Sequence, residues 1–96
     1  MVEKLSEQQC QEALRGLAGW THDGPAGVIE RVFRFKSFSE AFGFMARVAL
    51  EAQKANHHPD WSNSYDTVTI RLSTHEAGGL STRDIALAKA IDALLS

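Results

Sequence analysis

Two adjacent histidines, His57 and His58, stand directly before Pro59 in a chain that contains only four histidines. Because a proline biases the preceding residue toward extended backbone, the pair is predicted to lie where a helix ends and side chains can reach a cleft. His75 and Asp84 follow at the predicted end of a strand and the predicted start of a helix. An antiparallel topology can bring these three junctions to one edge of a sheet. Since histidine is the side chain best suited to proton transfer near neutral pH, the constellation indicates acid–base chemistry.

Each of these residues also has a purely structural interpretation. A histidine at the C-terminal end of a helix, such as His57, can simply interact with the helix dipole and the last carbonyl groups. His75 precedes a glycine-rich turn, where it would be an exposed loop residue. Asp84 stands near the start of a predicted helix, where a carboxylate caps free N–H groups. His22, in the first predicted hairpin, is expected to be structural or exposed.

Other chemistries fit the sequence less well. Three histidines and a carboxylate are ligand types of a zinc site. However, the side chains of the adjacent His57 and His58 diverge, and the sequence has no His-x-x-x-His pair on one helical face. The single cysteine, Cys10, allows neither an internal disulfide nor a paired-cysteine metal motif. A nucleophile elbow and a phosphate-binding glycine loop are also absent from the sequence. The pattern therefore favours proton transfer over metal binding.

Three helices are predicted from a common start signal, a serine followed three residues later by a polar side chain that can bond back to the backbone. The pairs are Ser6 with Gln9, Ser37 with Glu40, and Ser81 with Asp84. The first helix is predicted to end near residue 18, with Cys10 as a small core residue. The second is predicted over roughly residues 38–56, and the third is predicted to run to the C-terminus.

The second predicted helix has a wider apolar face than packing on a single core requires. One stripe contains Phe38, Phe42, Met45, Ala49 and Ala52, and the adjoining stripe contains Ala41, Phe44, Val48, Ala52 and Ala55. We expect Phe42 and Met45 to lie in the core, and Phe44 and Val48 to contact another subunit. The sequence thus predicts a homodimer or homotetramer that assembles through this helix and a sheet edge.

Four strands are predicted between the helices, over residues 19–22, 28–35, 61–65 and 67–73. In the last of these, Val68, Ile70 and Leu72 alternate with polar residues, as in a strand with one buried face. The hairpins occur without β-α-β alternation. The order α-β-β-α-β-β-α therefore predicts an α+β fold, a four-stranded antiparallel sheet with three helices on one face. A single domain is expected over residues 1–96.

Composition limits the partners and the location of the protein. Apolar residues make up 44% of the chain and the formal net charge is −2, which is typical of an ordinary globular domain. Lys and Arg are not clustered, so we expect no direct nucleic-acid binding and no binding to anionic membranes. The most apolar window, residues 41–50, contains Arg47 and is too short to span a bilayer. With no leader segment apparent, a cytoplasmic location is expected.

The segment "HHPDWSNSYDTVTIRLSTHEAGGLSTRD", residues 57–84, resembles the signature of the pterin-4a-carbinolamine dehydratases. In that family a His-His-Pro motif is followed at fixed spacings by an aromatic residue, a histidine and an aspartate. Tyr65, His75 and Asp84 stand at those positions here. The similarity extends to residues 41–61 and to the length of the chain, so it covers most of the protein.

The resemblance implies a 4a-hydroxytetrahydrobiopterin dehydratase. Such an enzyme removes water from the 4a-carbinolamine to give the quinonoid dihydropterin, and so recycles the tetrahydrobiopterin cofactor of the aromatic amino-acid hydroxylases. The pterin is the substrate, and neither a metal nor a cofactor is implied. By the same resemblance His58 is the main acid–base group, His57 and His75 bind the hydroxyl and share proton transfer, and Asp84 orients a histidine. The substrate pocket is expected to be lined by Asn56, Pro59, Ser73, Thr74 and Glu76.

The resemblance also implies an alternative and contains one departure. Some members of the family act as a dimerisation cofactor of a homeodomain transcription factor. The chain could therefore be a non-catalytic binding module, with a transcription factor or a hydroxylase as its partner. Many members place a charged residue four positions before the first histidine, where this chain has Gln53. We expect this difference to affect the rate of reaction more than its class.

Overall fold

The structure is a computed structural model that describes residues 2–95. Within these residues the chain forms α1 (Glu7–Leu14), β1 (Thr21–Asp23), β2 (Val28–Arg34), α2 (Phe38–Ala55), β3 (Asp60–Ser64), β4 (Thr67–Leu72), a 3₁₀ helix (His75–Ala77) and α3 (Thr82–Ala93). The predicted order α-β-β-α-β-β-α is confirmed, with the short 3₁₀ helix as the addition. However, α3 ends at Ala93 and Leu94 is its C-cap, so the helix stops before the C-terminus to which it is predicted to run; Ser96 itself lies outside the described residues.

The four strands form one antiparallel sheet in the order β1-β2-β4-β3. The longest pairing joins β2 to β4, from Ile29 opposite Leu72 to Arg34 opposite Thr67. Alternate residues of these strands, including Ile29, Phe33 and Ile70, are buried against the helices. Residues on the other face, such as Val32 and Arg71, are exposed. The alternation therefore places all three helices on one face, as the sequence predicts.

The predicted capping serines begin the helices. Ser6 and Gln9 bond to each other's backbone N–H groups at the start of α1, and Ser37 Oγ accepts from the N–H of Glu40 at the start of α2. However, α1 ends at Leu14, before the predicted residue 18. Because Gly16 disfavours helix, the chain leaves α1 in a turn that buries Leu17.

The α2 face that lies in the core is not the predicted one. Phe44 and Val48 are completely buried, whereas Phe42 is 58% exposed. Phe44 packs on Phe33 and Phe35 of the sheet side, with ring centroids 4.9 and 5.0 Å away. The predictions that Phe44 and Val48 contact another subunit, and that Phe42 lies in the core, are therefore wrong. Small or compact residues flank Phe44 on its stripe and allow close approach to the sheet: Ala41, Val48 and Ala52.

The two phenylalanines on the other stripe of α2 form an exposed cluster with a tyrosine. Phe42 lies 5.7 Å from Phe38 between ring centroids, and Phe38 stacks on Tyr65 at 6.5 Å. Phe38, Phe42 and Tyr65, called the aromatic patch below, are 46%, 58% and 68% exposed. The second helix therefore does have apolar surface beyond what the core covers, as the sequence indicates. That surface is on the stripe of Phe38 and Phe42 and not on the stripe of Phe44 and Val48.

A polar cluster holds the end of α3 against the sheet. The indole N–H of Trp20 donates to both carboxylate oxygens of Asp92, at 3.0 and 3.1 Å. Arg31 donates to the same carboxylate at 2.8 Å, and its guanidinium lies 4.6 Å from the centroid of the Phe33 ring. These contacts join α3 to β2 and to the residue before β1, and so help to set where the opposite end of α3 lies.

Cys10 is a core residue and not a reactive surface thiol. Cys10 is buried in the core, as predicted, and burial together with the nearby carboxylate of Glu7 raises the pKa of its thiol. The neutral thiol is therefore favoured over the reactive thiolate.

Among residues 2–95, no helix combines the length and the apolar character that crossing a membrane requires.

Candidate active site

The first histidine of the pair lies just beyond the end of α2. Asn56 ends the helix in the left-handed conformation, with φ 51° and ψ 43°, and the N–H of His57 then donates to the carbonyl of Ala52 at 3.1 Å. This turn directs the chain back toward the sheet, and His57 is only 8% exposed. Pro59 then leads directly into β3.

Asp84 is the centre of a buried hydrogen-bond network. Its Oδ1 lies 2.6 Å from Nε2 of His57. Its Oδ2 accepts from the hydroxyl of Thr74 at 2.7 Å and from the N–H of Ser81 at 2.9 Å. The end of α2, the residues after β4 and the start of α3 therefore meet at this carboxylate, whose residue is completely buried.

Both sequence interpretations of Asp84 describe part of its geometry. Oδ2 caps the start of α3 through the N–H of Ser81, while Oδ1 contacts His57. A capping role alone would leave Oδ1 without a partner inside the protein, which is costly for a buried carboxylate. The contact with His57 therefore accounts for the oxygen that capping does not use.

The segment between β4 and α3 is held in a compact turn. Two backbone hydrogen bonds join Thr74 and Gly79 in an antiparallel pair. Between them, Gly78 adopts a φ of 77°, a conformation that strongly favours glycine. A side-chain carbon at Gly27 would lie 2.8 Å from the Cα of Gly79, so the first hairpin packs directly on this turn. The N–H of Leu5 also donates to the carbonyl of Leu80 at 2.7 Å. These contacts fix the residues that bond to Asp84.

The remaining candidate residues lie at the surface beside this network. His58 directly follows His57 in the chain and is exposed, and His75 directly follows the buried Thr74 and is exposed. Glu76 is bonded to Arg83 of α3 at 3.4 Å. Asn56 and Ser73 are exposed and Pro59 is half-buried. Most of the predicted pocket residues are thus close in the chain to residues of the network and accessible to solvent, and their roles remain predictions.

Thr74 differs from this group. It is expected from the sequence to line the substrate pocket, but it is completely buried, and its hydroxyl contacts Asp84 and Ser81. Ser81 also belongs to the network without being among the predicted site residues, although the capping signature that joins it to Asp84 is visible in the sequence.

His22 is not among the residues bonded to Asp84. His22 is exposed in β1 and borders a cleft of about 510 Å³ that is lined by different residues from those of the Asp84 network, among them Lys4, Glu7 and Pro25. Within residues 2–95, no group of three or more His, Cys, Asp or Glu side chains is arranged to hold a metal ion.

Comparison with known families decides the relationship of this chain. The sequence profile of the pterin 4 alpha carbinolamine dehydratase family matches residues 3–94. The chain belongs to the pterin carbinolamine dehydratase family. Family membership confirms the resemblance of the His-His-Pro segment.

Members of the family include proteins much like this one. A Rhodospirillum rubrum protein, provisionally named a pterin-4-alpha-carbinolamine dehydratase, is 55% identical over 99% of both chains. A Nitrobacter hamburgensis protein with the same provisional name is 52% identical over 98% of this chain and 93% of its own. A crystal structure described as a transcriptional coactivator/pterin dehydratase from Brucella melitensis is 44% identical, with a TM-score of 0.93, and covers 98% of this chain and 100% of its own.

A more distant structure shares only the fold. A pterin dehydratase-like protein described as a RuBisCO assembly factor of the α-carboxysome is 23% identical, with a TM-score of 0.68 over 79% of this chain and 88% of its own. The pterin dehydratase fold therefore occurs in proteins with different described roles, and function has to be argued from the site.

Proposed function

We propose that this protein is a hydro-lyase that dehydrates 4a-hydroxytetrahydrobiopterin to the quinonoid dihydropterin. The observation that carries the proposal is the buried contact of His57 with Asp84 beside two exposed histidines, His58 and His75. Membership of the family and the dehydratase names of its relatives support the choice of a pterin substrate. The proposed role is to recycle the tetrahydrobiopterin that aromatic amino-acid hydroxylases oxidise.

The chemistry of the reaction suits these residue types. Dehydration of a carbinolamine breaks the N5–H bond and the C4a–O bond, and the N5–H electron pair becomes the C4a=N5 double bond. The departing oxygen takes a proton from an acid, and a base receives the N5 proton. No electrons leave the pterin, so the reaction requires no redox cofactor, and no metal is needed for proton transfer.

Roles follow from burial and from bonding partners. His58 is exposed and its side chain has no hydrogen-bond partner among residues 2–95, so we assign it as the main acid–base group. His75 is assigned to binding the 4a-hydroxyl, His57 to sharing proton transfer with His58, and Asp84 to orienting His57. The exposed or half-buried neighbours assigned to the pterin pocket are Asn56, Pro59, Ser73 and Glu76.

A direct assay tests the proposal. Added to freshly generated 4a-carbinolamine, the protein should increase the rate of dehydration above the rate without protein, as followed by the absorbance of the quinonoid product. The increase should survive prolonged treatment with a chelator, because histidine proton transfer does not use a metal. No increase would contradict the proposed activity. A loss that zinc reverses would instead support a metal mechanism.

A second candidate function is a binding role, which the aromatic patch supports. Three exposed aromatic rings on one surface are unusual for an isolated domain and indicate a contact with another molecule. The related Brucella melitensis structure carries a coactivator description as well as a dehydratase description. We propose that a second copy of this chain covers the patch and the adjoining β3 edge, since Tyr65 directly follows β3.

Replacement of Phe42 by glutamate tests self-assembly. Wild-type protein should sediment as a dimer or larger species at micromolar concentration, and Phe42→Glu should sediment as a folded monomer, because the new charge would lie in a desolvated contact. Arg47→Gln is the matched control, because it changes the net charge by the same amount as Phe42→Glu. Arg47 is exposed and lies about 140° around α2 from Phe42, so this variant should leave assembly intact. A monomeric wild-type protein would contradict self-assembly and leave the patch for another partner, such as a transcription factor or a hydroxylase.

A further inference from the structure

The hydrogen bonds around Asp84 have one consistent direction when its carboxylate is ionised. The N–H of Arg83 can only donate, so Ser81 Oγ accepts from it at 3.2 Å. The Thr74 hydroxyl donates to Asp84 Oδ2 at 2.7 Å. The Ser81 hydroxyl is then left to donate to Thr74 Oγ1 at 2.6 Å. The three hydrogen bonds therefore form one chain, in which Arg83 donates to Ser81, Ser81 donates to Thr74, and Thr74 donates to Asp84. Every donor in this chain has an acceptor.

This direction determines which nitrogen of His57 carries a proton. An ionised carboxylate only accepts hydrogen bonds, so the 2.6 Å contact requires a proton on Nε2 of His57. In the neutral ring Nδ1 then has a free lone pair. The geometry thus selects one of the two neutral tautomers.

The position of Nδ1 follows from the same contacts. Nδ1 of His57 has no hydrogen-bond partner among residues 2–95. Within those residues, no fully buried side-chain nitrogen or oxygen lacks a partner. Nδ1 must therefore belong to the small accessible part of His57, although the residue is only 8% exposed. The free lone pair faces the outside, and the proton faces Asp84.

We propose that Thr74 and Ser81 are positioning residues that hold Asp84, and that Asp84 in turn holds His57 so that Nδ1 is its reactive atom. Thr74 thus supports the site from inside the protein and does not contact the substrate. The assignment of N5–H as the proton donor rests on the proposed dehydratase function, whereas the tautomer of His57 does not.

The reaction step balances with these atoms. His57 Nδ1 accepts the N5 proton as the electron pair of the N5–H bond forms the C4a=N5 bond. The C4a–O bond breaks, and the oxygen leaves as water with a proton from His58. The resulting imidazolium of His57 lies next to the Asp84 carboxylate, which stabilises the charge as an aspartate does in a Ser-His-Asp triad. Both histidines then return to their starting states by proton exchange with water.

Thr74→Val tests the positioning role, because valine keeps the shape of threonine and removes the hydroxyl. Thr74→Ser is the matched control that keeps it. Nitrogen-15 NMR of the ring should show a proton on Nε2 of His57 in wild type and in Thr74→Ser. In Thr74→Val it should show a mixture of tautomers, because Asp84 loses the hydroxyl that holds Oδ2 and its carboxylate can rotate Oδ1 away from Nε2. In the dehydratase assay, Thr74→Val should lower kcat roughly tenfold with little change in KM, which is the scale of one lost hydrogen bond to a charged group.

The two readouts separate the possible outcomes. A proton on Nδ1 in the wild-type protein, or the same tautomer in wild type and a folded Thr74→Val, would overturn the proposal whatever the activity. The expected tautomers in a protein without dehydratase activity would support the positioning role and contradict the proposed function. If Thr74→Val does not fold, Ser81→Ala compared with Ser81→Thr removes and retains the next hydroxyl, and the same NMR criterion applies.

Discussion

His58→Ala should lower kcat/KM by roughly 10²-fold or more, the usual effect of removing a general acid–base group. The exposed imidazole makes no hydrogen bond within residues 2–95, so it is available to the substrate. For the same reason, the free energy of unfolding should change by only about 0.5 kcal/mol or less. Steady-state kinetics and denaturant unfolding of the same preparation would separate the loss of activity from a loss of structure.

The other histidines supply graded controls for this experiment. His57→Ala and His75→Ala should each lower kcat/KM less than His58→Ala, and His22→Ala should change it little, because His22 borders a different cleft. His57→Ala should also destabilise the protein, since it leaves the buried Asp84 carboxylate without its histidine partner. Rates close to wild type for all four variants would refute the histidine mechanism.

Phe44→Ala should lower the free energy of unfolding by about 3–5 kcal/mol, the usual cost of truncating a buried phenylalanine. Phe44 is completely buried and contacts the rings of Phe33 and Phe35, so its loss leaves a cavity between α2 and the sheet. Because small domains are stable by only about 5–15 kcal/mol, this change is a large fraction of the total. Urea denaturation measured at constant protein concentration would give the difference.

Phe42→Ala is the matched control for Phe44→Ala on the same helix. Phe42 is 58% exposed, so its truncation should cost about 1 kcal/mol or less in a monomeric sample. Equal losses for the two variants, or a larger loss for Phe42→Ala, would contradict the observed orientation of α2. If Phe44→Ala is too unstable to purify, Phe44→Leu should show the same order with a smaller loss.

Features that depend on near neighbours could be predicted from the sequence. The serine caps join residues three apart, such as Ser6 and Gln9, so the helix starts are encoded locally. The alternation of Val68, Ile70 and Leu72 likewise identifies a strand with one buried face, because successive side chains of a strand point to opposite sides. The spacing of residues in the His-His-Pro segment is by itself sufficient to indicate the family.

The core face of α2 could not be read in the same way. Both stripes of α2 are apolar, so periodicity alone does not say which one packs on the sheet. The choice depends on the shape of the opposing surface, where Phe33 and Phe35 accommodate Phe44. The early end of α1 differs, because Gly16 is a local signal for it, and the burial of Leu17 and Trp20 accompanies that end.

The sequence by itself therefore determined the order of elements, the helix starts and the residue types of the candidate site. Only the tertiary structure decided which partners those residues have. His57 and Asp84 are 27 positions apart, and Thr74 is 10 positions from Asp84, so no local pattern specifies their hydrogen bonds. Those bonds form because antiparallel pairing and the packing of α2 and α3 bring three chain junctions together, and a buried carboxylate there is stable only with all its partners present.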